Sequence, residues 1–271
     1  MRRRRSPGGP PALAAGMSLF LDVDGTLLDI AATPDAVAVP DGLVDTLNAL
    51  HFALDGAVAL VSGRRRADLV ALFRGAGVAM VAEHGAAATI PLPSSRPGRG
   101  GRVPPPLVAA LRRFAARHPD TLLELKRHGA ALHVRRSPAA ATAARRLAES
   151  LADAHRGRVR LLRGKAVFEF VAAGVSKGRA IEALLETPSF RGRKPYVVGD
   201  DVTDEDGFAV ANRLGGISLR VGPSDIRMAK SFARYTIAGP GPLRTWLRNA
   251  ADGLSSDKGA ARGNFPARRA F

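Results

Sequence analysis

From position 17 onward the chain alternates between short apolar runs and longer stretches whose apolar residues recur every three to four positions. The runs at 19–23, 57–61 and 78–82 read as strands, and the segments between them hold helices near 41–53 and 65–74. Continuous apolar strands alternating with amphipathic helices predict a parallel sheet covered on both faces. The rhythm breaks at 91–106, PLPSSRPGRGGRVPPP, where proline and glycine exclude regular structure and mark a linker. A different order follows: a helix over 107–117, strands over 121–127 and 130–136, a helix over 138–155, and strands over 158–162 and 166–171. This αββαββ order predicts a small antiparallel sheet with helices on one face. The first rhythm then resumes with a helix at 176–186, a strand at 195–199, a helix at 203–213, strands at 216–221 and 232–237, and a last helix at 241–251.

The pattern predicts an α/β core built from 17–98 and 176–250, interrupted by an α+β cap at 99–175, with 1–16 and 251–271 as disordered tails. A cap inserted between the halves of such a sheet leaves a cleft over the carboxyl ends of the strands, where open α/β sheets bind ligands.

With 271 residues, 46% of them hydrophobic, the chain can bury a substantial core. It has no cysteine, which excludes disulfides, thiolate metal sites and a thiol nucleophile and fits a reducing compartment such as the cytoplasm. The basic start is not followed by an uninterrupted apolar stretch, because Asp22 and Asp24 break it, so neither a secretory signal nor a membrane partner is expected. The net charge of +17 raises a nucleic-acid reading, but the charge is uneven: 99–175 hold sixteen Lys and Arg against five Asp and Glu, whereas 17–98 plus 176–250 balance. A basic cap over a neutral core suits a small anionic substrate. Few aromatics and no stacking motif argue against a basic nucleic-acid-binding module, so no nucleic-acid partner is expected.

Four strand ends carry the chemistry. Leu19-Phe-Leu-Asp22-Val-Asp24-Gly-Thr26 ends an apolar strand in two carboxylates, which can hold a divalent cation while presenting one oxygen for attack. It is no helix-flanked calcium loop, since Ala stands at 31 where such a loop needs glutamate. Val61-Ser62-Gly63 ends the second strand in a hydroxyl followed by backbone amides suited to a phosphoryl group. Ser176-Lys177-Gly178 starts a helix with a lysine that opposes the helix dipole unless an anion lies nearby. Gly199-Asp200-Asp201-Val-Thr-Asp204-Glu-Asp206 crowds five acids into seven residues, a costly arrangement unless a cation compensates it. Asp200 is the best metal ligand among them, with Asp201 and Asp204 orienting the site or holding a metal-bound water.

In this order the four elements resemble the motif set of the haloacid dehalogenase superfamily, whose core is a Rossmann-like parallel sheet. With Glu83-His84-Gly85 after the third strand, Glu124-Leu-Lys126, His133-Val-Arg135 and Gly164-Lys165-Ala-Val167-Phe-Glu169, the chain resembles trehalose-6-phosphate phosphatases over roughly 17–250. The resemblance implies Mg²⁺-dependent hydrolysis of trehalose 6-phosphate to trehalose and phosphate through an aspartyl-phosphate intermediate; a monomer is expected. Asp22 would be the nucleophile, Asp24 the acid and base, Ser62 and Lys177 the phosphate holders, and Asp22, Asp24, Asp200 and Asp201 the metal ligands, with Thr26 and Asp204 in support. Gly63, Glu83, His84, Glu124, Lys126, His133, Arg135 and Glu169 would bind substrate. The chain departs from that family's pattern at Ala172-Ala173, where a lysine or arginine followed by proline is usual, and at Val23, where an aromatic is common. Phosphatases of the same fold acting on sucrose or mannosyl-glycerate phosphates share the catalytic motifs and remain the alternative.

Overall fold

The computed structural model describes residues 9–30, 37–93, 101–164, 166–223 and 231–263. The arginine-rich residues 1–8, the linker stretch 94–100, Lys165 of the second cap signature and 264–271 lie outside the described residues.

Four short apolar strands, β1 (Met17–Leu21), β2 (Val58–Val61), β3 (Ala79–Ala82) and β9 (Lys194–Gly199), form the centre of a sheet completed by β10 (Ile217–Val221), β11 (Tyr235–Ile237) and β4 (Ala87–Ala88). The order is β11-β10-β9-β1-β2-β3-β4. All pairs are parallel except β3 with β4. Neighbouring residues of β1 and β2 are alike buried, so both faces are covered, as their unbroken apolar runs require. Helix α1 (Leu43–Ala53) packs on α7 (Pro240–Gly263), and α5 (Lys177–Leu185) packs on α6 (Glu205–Arg213). Helix α2 (Arg66–Leu72) lies against β3.

The cap is a separate four-stranded sheet, β5 (Leu122–Leu125), β6 (Gly129–His133), β8 (Val167–Ala172) and β7 (Val159–Gly164), ordered β5-β6-β8-β7 and antiparallel throughout. Helices α3 (Pro105–Arg117) and α4 (Ala141–Ala154) complete the αββαββ order. Leu107, Leu111 and Phe114 recur on one face of α3, and Ala144 and Ala148 on one face of α4. They bury Ala130, Leu132, Phe168 and Phe170 in a core distinct from that of the large sheet.

Three differences from the sequence reading have physical causes. The large sheet is not wholly parallel: a tight turn at Glu83–Gly85, with positive φ at all three residues, reverses the chain and lays β4 antiparallel on the edge of β3. The last helix does not end at 251 but runs to Gly263, and its buried stripe of Leu243, Leu247, Ala251 and Leu254 itself passes the expected end. Residues before Met17 also take part in the fold, since Leu13 is buried and the Pro11 carbonyl accepts from the Tyr196 hydroxyl at 3.0 Å.

Candidate active site

Parallel strands present their carboxyl ends at one edge, and the register decides which residues meet there. Leu21 of β1 pairs with Leu60 of β2 on one side and with Val198 of β9 on the other. Asp22 follows Leu21 directly, and Ser62 and Asp200 come two residues after Leu60 and Val198, so all three emerge at the same edge. The chain steps from β1 to β2 in one direction and returns to β9 in the other, so this is the point where the strand order reverses.

Local structure holds the carboxylates close. Gly25 adopts a φ of +84°, and a Cβ there would overlap the Asp200 carboxylate, so the turn after the first motif must be glycine. The Thr26 hydroxyl lies 3.1 Å from Asp22 Oδ2 and 3.2 Å from Asp200 Oδ1, joining the two strand ends. Lys177, the first residue of α5, follows Ser176, whose hydroxyl accepts from the Arg179 N–H at the helix start. The buried Lys177 Nζ donates to Asp22 Oδ1 at 2.6 Å and to Asp204 Oδ1 at 2.7 Å.

One ammonium among three carboxylates leaves a shortage of positive charge. Burial, against the pull of Lys177 and with the push of Asp204, raises the Asp22 carboxyl to about 6. Burial together with repulsion from Asp22, Asp204 and Asp201 raises Asp200 to about 8. Burial opposes charge on Lys177 too, but Asp204 and Asp22 outweigh it and hold the ammonium's proton far above the ordinary range. Carboxylate oxygens of Asp22, Asp200 and Asp204 lie within 4.8 Å of one another. A buried, all-oxygen donor set that is short of positive charge fits a hard divalent cation.

The acidic loop divides its labour. Asp204 accepts from Lys177, and its Oδ2 accepts from the backbone N–H groups of Asp200 and Asp201 at 3.1 Å each, so it shapes the loop. Asp201 turns its carboxylate to the Val202 N–H at 2.7 Å and stands outside the carboxylate cluster. Asp22 and Asp200 are therefore the side chains best placed for a cation. The buried Ser62 hydroxyl accepts from the Arg64 N–H at 3.1 Å. Asp24 points to neither group: Arg64 Nε and Nη2 donate to its two oxygens at 2.7 and 2.6 Å.

The cap roofs this floor with the face of its sheet that is turned from α3 and α4. Glu124, Ala131, Glu169 and Leu162 form one cross-strand row, and Leu122, His133, Val167 and Gly164 the next. All eight line a cavity of about 320 Å³ whose floor is Asp22, Asp24, Ser62, Lys177 and Asp200. Alternation along each strand does this: one set of side chains packs on the helices and the other points to the cavity. Ala131 leaves space between the two glutamates.

Two charged groups line the roof. Glu169 accepts from Lys126 Nζ at 2.6 Å and from His84 Nε2 at 3.1 Å, and Lys126 also donates to the Gly63 carbonyl at 2.8 Å. Burial works against the Glu169 charge, but His84 and Lys126 outweigh it and hold the carboxyl well below the usual range. Nearer the mouth, Glu124 lies 3.2 Å from His133 Nε2 and 3.5 Å from Arg65 Nε. Burial is again outweighed, by the His133 hydrogen bond and Lys126, and the Glu124 carboxyl is lowered. His84 and Gly63 belong to the core and Lys126 and Glu169 to the cap, so the inner group ties the two units together.

Of the residues expected at the site, Asp22, Asp24, Ser62, Gly63, His84, Glu124, Lys126, His133, Arg135, Glu169, Lys177, Asp200 and Asp201 all line the cavity. Glu83 does not: its carboxylate accepts from the His128 N–H at 3.4 Å, bridging core and cap beside the cavity. Thr26 and Asp204 sit beneath the floor. Arg64 went unassigned in the sequence, although an arginine directly after Ser-Gly at a strand end in a charge-balanced core was the available signal.

A family model described as Trehalose-phosphatase matches residues 20–240, which take in both halves of the core and the whole cap. The chain belongs to this family. Among members, it is 34% identical to the trehalose-6-phosphate phosphatase of Escherichia coli K12 over 92% of this chain and 91% of that one. A probable trehalose-phosphate phosphatase of Sinorhizobium fredii is 40% identical over 76% of this chain and 78% of the other. The solved C-terminal domain of C. albicans trehalose-6-phosphate phosphatase shares the fold, with a TM-score of 0.73 at 24% identity over 91% of this chain and 99% of that one. In this trehalose-phosphatase family chain no described helix is long and apolar enough to cross a membrane.

Proposed function

We propose that this protein hydrolyses trehalose 6-phosphate to trehalose and phosphate through an aspartyl-phosphate intermediate, with Mg²⁺ as cofactor. The observation that carries the reading is the convergence in one cavity of a nucleophile-bearing acidic floor and a polar cap roof. Asp22, with its charge balanced by Lys177, attacks phosphorus; its bond to phosphorus forms as the bond to the sugar oxygen breaks. Asp24 gives a proton to that departing oxygen. Water then attacks the aspartyl phosphate, Asp24 takes its proton, and the bond between phosphorus and Asp22 breaks to restore the carboxylate. Ser62 and Lys177 hold phosphoryl oxygens throughout. Asp22, Asp200 and the backbone carbonyl of Asp24 would hold the Mg²⁺, which when bound supplies positive charge against the phosphoryl group.

The roof supports a sugar substrate. Glu169, Lys126 and His84 offer one carboxylate and two donors, and Glu124 and His133 a second pair. Paired, directional groups of this kind read hydroxyls and exclude water as the cap closes. Phosphate release from a panel of trehalose, sucrose, mannosyl-glycerate and glucose phosphates, with and without Mg²⁺, tests the reading. Trehalose 6-phosphate should have the highest kcat/KM, only with metal; a clear preference for another ester would reassign the substrate while leaving the chemistry in place.

A further inference from the structure

We propose that Arg64 is a positioning residue that sets Asp24 for proton transfer to the leaving oxygen. This rests on the phosphoryl-transfer reading above. Asp24 has 40% of its side chain open, against 7% for Asp22, and it follows the end of β1. An acid that serves two successive displacements must return to one place, and the backbone bridge between Asp24 and Leu28 does not by itself set the direction of the carboxylate.

Arg64 supplies it. Its two donors take both Asp24 oxygens, the planar two-point geometry that fixes a carboxylate's direction as well as its position. The guanidinium is only 13% exposed. Burial works against its charge, but the Asp24 hydrogen bond and charge outweigh it and raise its affinity for the proton. The backbone is anchored at both ends, the N–H donating to Ser62 Oγ at 3.1 Å and the carbonyl accepting from the Glu83 N–H at 2.9 Å. The clamp therefore transmits the position of the phosphate-holding loop to the acid on the neighbouring strand. Arg64 exchanges no proton itself. In the first displacement the phosphorus–oxygen bond breaks and the proton passes from Asp24 to that oxygen; Arg64 fixes where the donor stands.

The test uses the leaving group. An alkoxide needs the proton, whereas nitrophenolate leaves without it. kcat/KM for hydrolysis through a phospho-enzyme reports only steps up to the first irreversible one, so the later role of Asp24 as base does not enter. Three esters are compared with Mg²⁺ present: trehalose 6-phosphate, glycerol 2-phosphate, which has an alkoxide leaving group and no sugar, and p-nitrophenyl phosphate. Arg64→Met should lower kcat/KM about 10²-fold on both alkyl esters and less than about threefold on the nitrophenyl ester. Arg64→Lys, which keeps the charge but loses the fork, should fall between Arg64→Met and wild type. Asp24→Asn should show the same selectivity, and adding Arg64→Met to it should cause little further loss.

A loss confined to trehalose 6-phosphate would make Arg64 a sugar ligand and overturn the proposal. So would an equal loss on all three esters, which would place Arg64 on the phosphate or in the fold. If Arg64→Met does not fold, Arg64→Gln reads the same ratios. A wild-type protein that releases phosphate from none of the esters removes the phosphatase reading itself, an outcome distinct from the failure of the clamp.

Discussion

Floor and roof of the cavity are both built from buried or half-buried carboxylates paired with cationic groups, yet their electrostatics run in opposite directions. On the floor, Asp22 and Asp200 are pushed up because three carboxylates share one lysine. In the roof, Glu169 and Glu124 are held down because each has at least its share of donors. The floor is thus an incomplete charge system that a divalent cation would complete, while the roof is already balanced. A ligand entering the roof must share or replace existing pairs, which favours hydroxyl-rich molecules that can do both. The contrast assigns chemistry to the first region and selection to the second.

The largest effect should come from breaking the floor. Asp22→Asn removes the nucleophile and should lower kcat by about 10⁴-fold or more on every phosphate ester, followed as released phosphate. Retention of wild-type turnover by this variant would end the assignment. Chelation with EDTA comes next: it should abolish turnover on all esters, and restoring Mg²⁺ should recover it and raise Tm by roughly 3 °C or more through binding to the folded state alone. Asp200→Asn should remove most of that thermal shift and Glu169→Ala little of it; equal shifts in the two variants would place the cation elsewhere.

A roof change should be selective. Glu169→Ala is expected to lower kcat/KM for trehalose 6-phosphate by roughly 10²-fold and that for p-nitrophenyl phosphate only a few-fold, since the small ester does not use the roof. Equal losses on both would contradict a sugar-reading role. The smallest effect concerns pH. Glu169 is ionised in the folded protein well below its ordinary value of 4.5, so its pairs contribute fully above that value and progressively less as pH falls towards the folded one. The stability gap between wild type and Glu169→Gln in denaturant unfolding should therefore narrow by about 1 kcal/mol between pH 7 and pH 3.5. A gap that widens on acidification would reverse the sign assigned to this carboxyl.

Much of this was legible in the chain because it depends on local pattern. The apolar runs ending in Asp22, Ser62 and Asp200 had to be strands, and the αββαββ order followed from spacing. Five acids within one loop already implied a compensating charge. The reversal at β4 was not legible, because it depends on two non-glycine residues, Glu83 and His84, held at positive φ by surrounding contacts. Nor was the length of α7, which continues to Gly263, beyond Leu254, the last residue of its buried stripe.

Tertiary structure alone decided the partners. Asp204 and Asp201 are equivalent acids in sequence, and only the loop's fold makes one the anchor of backbone amides and leaves the other outside the cluster. The pairing of Arg64 with Asp24, forty positions away, and the meeting of Lys126 and His84 on Glu169 likewise have no trace in the local pattern. Periodicity fixes which side of a strand or helix a residue occupies. Which charges share a buried space depends on strand order and register, and that is settled only when the chain closes on itself.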